Sequence, residues 1–515
     1  MTTRSILVLA LSLAATCCQA ATYEVGDGAG QLGSIGAVPW ASLNAGDTVL
    51  IHWRAQSYKE KWVIARQGTE LSPITIRGVP NASGDLPVID GDGAITVPGV
   101  NFWNGQRSVI KFGGSNTPSL RPEHIILENL IIRSAHPSYT YTDENRGEFG
   151  QNYASNAASI TIEAGRHITI RNCTLTDSGN GLFIAEDGGN TQDILVEGCH
   201  LYGNGIFNSI YEHNSYTEAT DITFQYNYYG QLRSGALGNN LKDRSAGTVV
   251  RYNWIESGNR QLDLVDSDNP ALTGNPSYNT TYVYGNILIE PDGAGNRQII
   301  HYGGDSGTEA NYRKGTLHLF NNTIVSTRSG RNTLLRMSSN GESCVARNNI
   351  IYTTSVGSEL ELAADDQGSL SIQNNWIMGG YVNSHSASSG SAVTDLGGNL
   401  TGSSPGFTDF GSQDFKLAAG SVCLDAGTTT VSAIDREYLK HQGSKARASA
   451  GTIDIGAYER LDPGAKRSIR IDVPSGFEAT ITPSQTPSVS GSSFTFGDLD
   501  PYATHLIEIT VGGTS

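Results

Sequence analysis

Cysteine, methionine and charge are scarce in this chain. Six cysteines and three methionines occur in 515 residues, and charged side chains make up 16%. So few cysteines cannot staple a chain of this length into a disulfide scaffold. From residue 21 onward no apolar run is long enough to span a membrane. Clusters of Lys and Arg are missing too, and with a net charge of −16 at pH 7 nucleic acid is not an expected partner. Gly28-Ala-Gly30-Gln-Leu-Gly33 matches a dinucleotide fingerprint, but no helical pattern follows it, so it carries no nucleotide site.

What the chain has in quantity is glycine, 61 residues, and a repeat. Short β-branched segments such as His167-Ile-Thr-Ile-Arg, Asp193-Ile-Leu-Val-Glu and Asp221-Ile-Thr-Phe-Gln end again and again in an Asn or Cys followed by aliphatic or aromatic residues. The markers are Asn129, Cys173, Cys199, Asn227, Asn253, Asn286, Asn322, Asn349 and Asn375, and neighbouring positions differ by 44, 26, 28, 26, 33, 36, 27 and 26. A basic period near 26 with insertions marks stacked supersecondary units. Each unit has room for two or three strands and no helical stripe, which predicts an all-β fold, a right-handed parallel β-helix. In such a coil an Asn repeated at one bend turns inward and satisfies backbone groups above and below. Asn129, Asn227, Asn253, Asn286, Asn322, Asn349 and Asn375 are expected in a single inward file. Cys173 and Cys199 hold that position in adjacent coils, either as stacked core thiols or as a disulfide.

Residues 1–20 read as a leader for export: Arg4 is the positive start, Ile6 to Ala15 the apolar stretch, and Cys18-Gln19-Ala20 a small-residue cleavage site. A secreted or periplasmic protein is therefore expected. Residues 21–460 are assigned to the β-helix, from Trp40-Ala-Ser-Leu-Asn-Ala-Gly-Asp-Thr-Val-Leu-Ile to Asp454-Ile-Gly-Ala-Tyr-Glu459. Residues 461–515 alternate Ile, Val and Phe with Ser, Thr and Pro and suggest a small C-terminal β module covering open strand edges.

Polar residues recur at equivalent places in successive coils. Glu186-Asp187 precedes Cys199, His213-Asn214-Ser-Tyr216 precedes Asn227, and Asn239-Asn240-Leu-Lys242-Asp-Arg244 precedes Asn253. Arg260-Gln-Leu-Asp263-Leu-Val-Asp266-Ser-Asp268 then precedes Asn286, and His301-Tyr302-Gly-Gly-Asp305 precedes Asn322. Coils stack about 4.8 Å apart, so these residues can form one strip rich in acids, bases and donors.

The opening at Trp40, the repeat, Asn240-Leu-Lys242-Asp-Arg244-Ser before Arg251-Tyr-Asn253, and the closing Asp454 to Glu459 resemble exported parallel β-helix polysaccharide lyases. The resemblance is to the chondroitinase B and alginate lyase family and to biofilm-matrix lyase-like proteins, and it spans roughly residues 22 to 460. It implies a Lys base, here Lys242, an Arg one coil on, and Ca²⁺ on the substrate carboxylate. One coil later this chain reads Leu262-Asp263-Leu264-Val265-Asp266 where the family has Arg-His, so Arg244 or Arg260 has to take the second role.

β-Elimination from a uronate needs a base beside the carboxylate, a cation to stabilise the intermediate, and an acid for the leaving oxygen. Lys242, Arg244, His213 and Tyr302 are the expected catalytic set; Asn240, Tyr216, Arg260 and His301 the substrate-binding set; and Asp263, Asp266 and Glu186 the Ca²⁺ ligands. Each has a plainer role open to it: Lys242 as an exposed cation beside Asp243, His213 as a surface histidine, the aspartates as turn formers before Asn269-Pro270. Three function classes follow: a lyase on an acidic or biofilm exopolysaccharide, a glycoside hydrolase using two of the carboxylates, or a non-catalytic carbohydrate-binding protein with Tyr211, Tyr216 and Tyr302 as sugar platforms. A monomer acting on polysaccharide is expected.

Overall fold

The computed structural model describes residues 20–115, 119–364, 367–386, 392–448, 451–461, 467–472, 477–482, 487–490, 493–499 and 506–511. The expected leader, Ala20 apart, lies outside them. The chain folds into two compact units, one of Met1–Val249, Ile255–Thr280 and Gly303–Arg313, the other of Val250–Trp254, Thr281–Tyr302 and Lys314–Ser515.

In the first unit successive coils from Ile74–Val79 to Thr220–Gln225 give strands to three largely parallel sheets, the arrangement of a parallel β-helix. Alternation does the sorting. In Gly165–Arg171, Ile168 and Ile170 are buried and Thr169 between them is not. The next coils repeat the pattern in register, Ile168 beside Ile194 and then Ile222, Ile170 beside Val196 and then Phe224, so identical faces stack into a continuous aliphatic core. A second sheet carries Ser108–Phe112, Ala158–Ile162, Asn180–Ile184, Ser215–Thr217, Leu241–Asp243 and Leu262–Leu264, all paired parallel. A third runs from Val88–Asp90 through Ile131–Arg133, Thr174–Thr176 and His200–Tyr202 to Tyr228–Tyr229. The Gly28 to Gly33 segment is a turn, with Gln31 Oε1 accepting from the Gly28 N–H.

The second unit repeats the coil with Gly315–Phe320, Glu342–Arg347, Ser369–Gln373 and Ala392–Asp395 on one sheet, Gln298–Tyr302, Asn332–Met337 and Leu360–Ala364 on another, and Ile287–Glu290 through Leu400–Gly402 on the third. Near its C-terminus the strands become antiparallel. Arg467–Asp472 pairs with Ser493–Leu499, and Phe477–Thr482 with Leu506–Val511. Ile481 and Phe496 are buried there against Ile471, Phe494 and Ile507.

The asparagine file is present in both units, with one correction. In the second unit Asn253, Asn286, Asn322, Asn349, Asn375 and Asn399 hand on in order: each Oδ1 from Asn286 onward accepts the main-chain N–H and the side-chain amide of the preceding member, at 2.9–3.0 Å. In the first unit Asn227 Oδ1 accepts from Cys199 N at 2.8 Å and its amide donates to Val196 O at 2.9 Å. Asn129 is not a member. It stands one residue earlier in its coil, at φ 60° and half-buried, and Leu130 fills the inward place. The coil bend needs a left-handed residue directly before the inward one: Asn172, Gly198, Tyr226, Tyr252, Gly285, Asn321, Asn348 and Asn374 all have φ between 50° and 65°. Asparagine is tolerated at both places, for different reasons. All four described cysteines are free and buried. Cys173 and Cys199 are core thiols, the latter lying 3.5 Å from Ile170 O.

The closing Asp454 to Glu459 stretch is structural. Arg447 pairs with Glu459 at 3.0 Å, and the side chain of Asn321 donates to Asp454 O at 3.0 Å, tying the stretch to the coil bends.

Candidate functional site

On the second sheet of the first unit, inward residues Leu182, Ser215, Leu241 and Leu262 alternate with an outward row. Register aligns Lys111, Thr161, Phe183, Tyr216, Lys242 and Asp263 in that row, one per coil. A strand with one face in the core presents its polar residues to the other, and the candidate site is built on this outward row.

Lys242 lies at its centre and is 6% exposed. Its Nζ donates to Asp263 Oδ2 at 2.7 Å and is also paired with Asp305 Oδ2. Asp305 spans two cations, since its Oδ1 accepts from Arg244 Nη2 at 2.8 Å. Burial raises the Asp305 carboxyl, but Lys242 and Arg244 outweigh it and hold the group below its ordinary 3.8. Asp263 is nearly enclosed; besides Lys242 it takes the amide of Asn239 at 2.6 Å and lies 3.7 Å from Arg260 Nη1. Asp266, fully buried, accepts from the main-chain N–H groups of Asp305 and Ser306 at 2.8 and 3.3 Å and from the Ser306 hydroxyl. It therefore fixes the turn that delivers Asp305. The far end of that Gly303–Arg313 segment is anchored by Arg313, enclosed and paired with Asp243 at 3.2 Å.

His213 and Tyr216 come from the preceding coil. His213 Nδ1 accepts the Asn239 N–H at 2.8 Å, which leaves the proton on Nε2. Burial, assisted by Lys242, pushes the imidazole down to about 3, so it is neutral and a donor. Its ring meets Tyr216 edge-on at 5.6 Å. Tyr216 is half-buried, with Arg244 5.6 Å and Lys242 6.0 Å from its ring centre, and its hydroxyl has no hydrogen-bond partner among the described residues.

Lys242, Arg244, His213, Tyr216, Arg260, Asp263 and Asp266 are thus brought together. Tyr302 and Asn240 are not in this set. Tyr302 is fully buried, because it follows the outward His301 on its strand and turns to the core. His301 itself is enclosed and bonded through Nε2 to Ser338 Oγ at 2.8 Å. Asn240 also points inward, as part of a second asparagine file in which Asn204 donates to Asn214 at 2.9 Å and Asn214 to Asn240 at 2.6 Å. That file stiffens the strands beneath the site.

The carboxylates proposed for Ca²⁺ do not fit a cage. A hard divalent cation wants six to eight oxygens, whereas Lys242 already stands between Asp263 and Asp305, and Asp266 is spent on the 305–306 turn. Glu186 caps its own turn, accepting from Asn190 N at 2.8 Å. Among the described residues no three His, Cys, Asp or Glu side chains are grouped to hold a metal ion.

Sequence reasoning placed both Asp305 and Asn239 in the polar strip without assigning either a role. The signal for Asp305 was the 36-residue step between Asn286 and Asn322, about ten more than a coil requires, which accommodates the Gly303–Arg313 segment.

No family model matches the chain, and no curated protein matches it. Among solved structures, an alginate lyase from Paenibacillus sp. strain FPU-7 is similar over 64% of this chain and 91% of its own, at 12% identity and a TM-score of 0.38. A pectate lyase covers 86% and 96% at 12% identity and 0.38. A lacto-N-biosidase from Eubacterium ramulus covers 74% and 68% at 14% identity and 0.37. Likeness at this level bears on neither substrate nor reaction.

Proposed function

We propose that the protein cleaves an acidic polysaccharide by β-elimination in the groove above Tyr216, Lys242 and Asp263. The observation that carries this reading is Asp305: one carboxylate bridges Lys242 and Arg244 beside an accessible phenol. A uronate carboxylate has the same two oxygens and can take that place. Held by both cations, it delocalises the charge that develops when the neighbouring ring proton leaves. The Tyr216 hydroxyl is the nearest unengaged proton carrier, and the neutral His213 donates through Nε2–H. Lys242, anchored by buried Asp263, acts in this scheme as a fixed positive charge, a different role from the base suggested by the family resemblance. Tyr216, deprotonated beside Arg244 and Lys242, takes the proton from the ring carbon and as the phenol gives it to the departing glycosidic oxygen, whose bond to the ring breaks as the new double bond forms, leaving an unsaturated sugar at the new end.

One observation favours a hydrolase as the second reading. Asp263 and Asp305 touch the same ammonium, so their nearest oxygens lie within about 6 Å of each other, twice a hydrogen-bond length. That bound includes the roughly 5–5.5 Å of retaining glycosidases and falls short of inverting pairs. Incubation with a panel of acidic and neutral polysaccharides decides: elimination gives ultraviolet absorbance at unsaturated ends, hydrolysis gives reducing ends without it. Silence in both channels leaves a binding protein.

A further inference from the structure

Two to four coils before Lys242 on the same outward row, with Thr161 in the middle, a cavity of about 140 Å³ is lined by Asn104, Arg107, Lys111, Thr161, Glu163 and Phe183. Its two cations differ. Lys111 is enclosed and fully engaged, paired with Glu163 and donating to Trp103 O at 2.8 Å and Gly114 O at 3.1 Å. Arg107 has no hydrogen bond or ion pair from its guanidinium among the described residues, although its Nε is buried. The guanidinium stacks 4.8 Å from the centre of the Phe183 ring, and Phe183 meets Tyr216 edge-on at 5.3 Å. The cavity and the Tyr216 site therefore share one aromatic wall.

The Glu163 carboxylate of the same cavity is bound to Lys111 and acts on Arg107 only through space, so a partly desolvated guanidinium keeps donors with no direct partner, to be satisfied from outside the chain. We infer that Arg107, with the Asn104 amide and the Thr161 hydroxyl, forms a second carboxylate subsite, for an acidic sugar of the same polymer bound at Lys242. The inference rests on the groove being a polysaccharide site. It makes the substrate a run of at least three sugars, two of them acidic, whose carboxylates reach across the three coils between Thr161 and Lys242, roughly 14 Å at the usual strand spacing. A disaccharide is too short to reach both places.

The test uses hexamers and dimers of galacturonate, mannuronate and guluronate, with calorimetric binding and cleavage measured on wild type, Arg107→Ala and Arg107→Lys. For at least one hexamer, Arg107→Ala is expected to weaken binding roughly ten- to hundredfold, the worth of a charge-assisted contact, and to raise KM with kcat little changed. Dimer binding is unaffected, Arg107→Lys recovers part of the loss, and the thermal midpoint of both variants stays near that of wild type. Hexamer binding that needs Arg107 but yields no unsaturated product upholds the subsite and overturns the lyase reading. A wild type that binds none of the hexamers, or an Arg107→Ala protein that binds and cleaves them as wild type does, overturns the subsite.

Discussion

Replacing Asn322 by Ala removes a side chain that serves two neighbouring coils. Its amide donates to Val283 O at 2.9 Å, to Phe320 O at 3.2 Å and to Asn349 Oδ1 at 2.9 Å. Its oxygen accepts the main-chain N–H and the side-chain amide of Asn286, both at 3.0 Å. Several of these partners are covered elsewhere: Phe320 O also accepts from Gly285 N, Asn349 Oδ1 keeps the Asn322 N–H, and the Asn286 amide keeps Val250 O and Tyr284 O. The Asn286 N–H and one lone pair of Val283 O lose their bond to Asn322 in a place too enclosed for water. At about 1–3 kcal/mol for each orphaned group the loss is roughly 2–6 kcal/mol. Equilibrium unfolding in urea measures it, and native-state hydrogen exchange should show the Asn286 amide losing protection first. A loss below about 1 kcal/mol, with Asn286 still protected, would refute the idea that the file holds the bends.

Lys242→Met should lower kcat roughly 10²- to 10³-fold, as loss of a preorganised charge does. It should also destabilise the fold by about 1–3 kcal/mol, because enclosed Asp263 loses the ammonium bonded to it at 2.7 Å; unchanged activity on the true substrate refutes the role. Asp305→Asn should tighten binding of an acidic oligosaccharide and steepen its loss with added salt, since Lys242 and Arg244 are left with uncompensated charge; weaker binding would make Asp305 a substrate contact. His213 sets a pH dependence. Folding lowers its pKa from 6.5 to about 3, so the unfolded chain takes up a proton that the folded chain refuses. Stability is complete above 6.5 and falls as pH drops from 6.5 toward 3, and His213→Asn should flatten that part of the profile. Identical profiles for variant and wild type would contradict this.

The fold was legible because its phase is written in one residue type per coil. Asn322, Asn349 and Asn375 each follow a second Asn at the left-handed position, and a reader who takes the later of the two finds the period at once. Asn129 misled because a coil can spend its asparagine on the left-handed residue and fill the inward place with Leu130. The reach of the site was legible for the same reason: Asn227 and Asn253 are 26 residues apart, so Tyr216 and Lys242, also 26 apart, fall in register. Direction was harder. Polar residues in a solenoid also point inward, where they pair with one another, and nothing in Asn240 distinguishes it from an outward residue until its contact with Asn214 is seen. Tyr302 follows from alternation once His301 is known to face outward.

Charge was the least legible property, because it depends on which side chains meet. Lys242, Arg244 and Arg260 have the composition of a basic groove. In the fold they meet Asp263, Asp266 and Asp305, and the six charges cancel. An anionic polymer approaching a protein of net charge −16 therefore gains nothing from bulk attraction. It has to exchange with a carboxylate already in place, and among the three only Asp305 is within reach, with 35% of its side chain exposed against 1% for Asp263 and none for Asp266. Binding by exchange is selective: a neutral sugar cannot release Asp305 from its two cations, and an isolated anion recovers only what it displaces. A second carboxylate on the same chain, at an arginine whose neighbouring acid, Glu163, is already bound to Lys111, supplies the surplus that such an exchange lacks, which is why the Arg107 cavity and the Lys242 site are most economically explained as two ends of one groove.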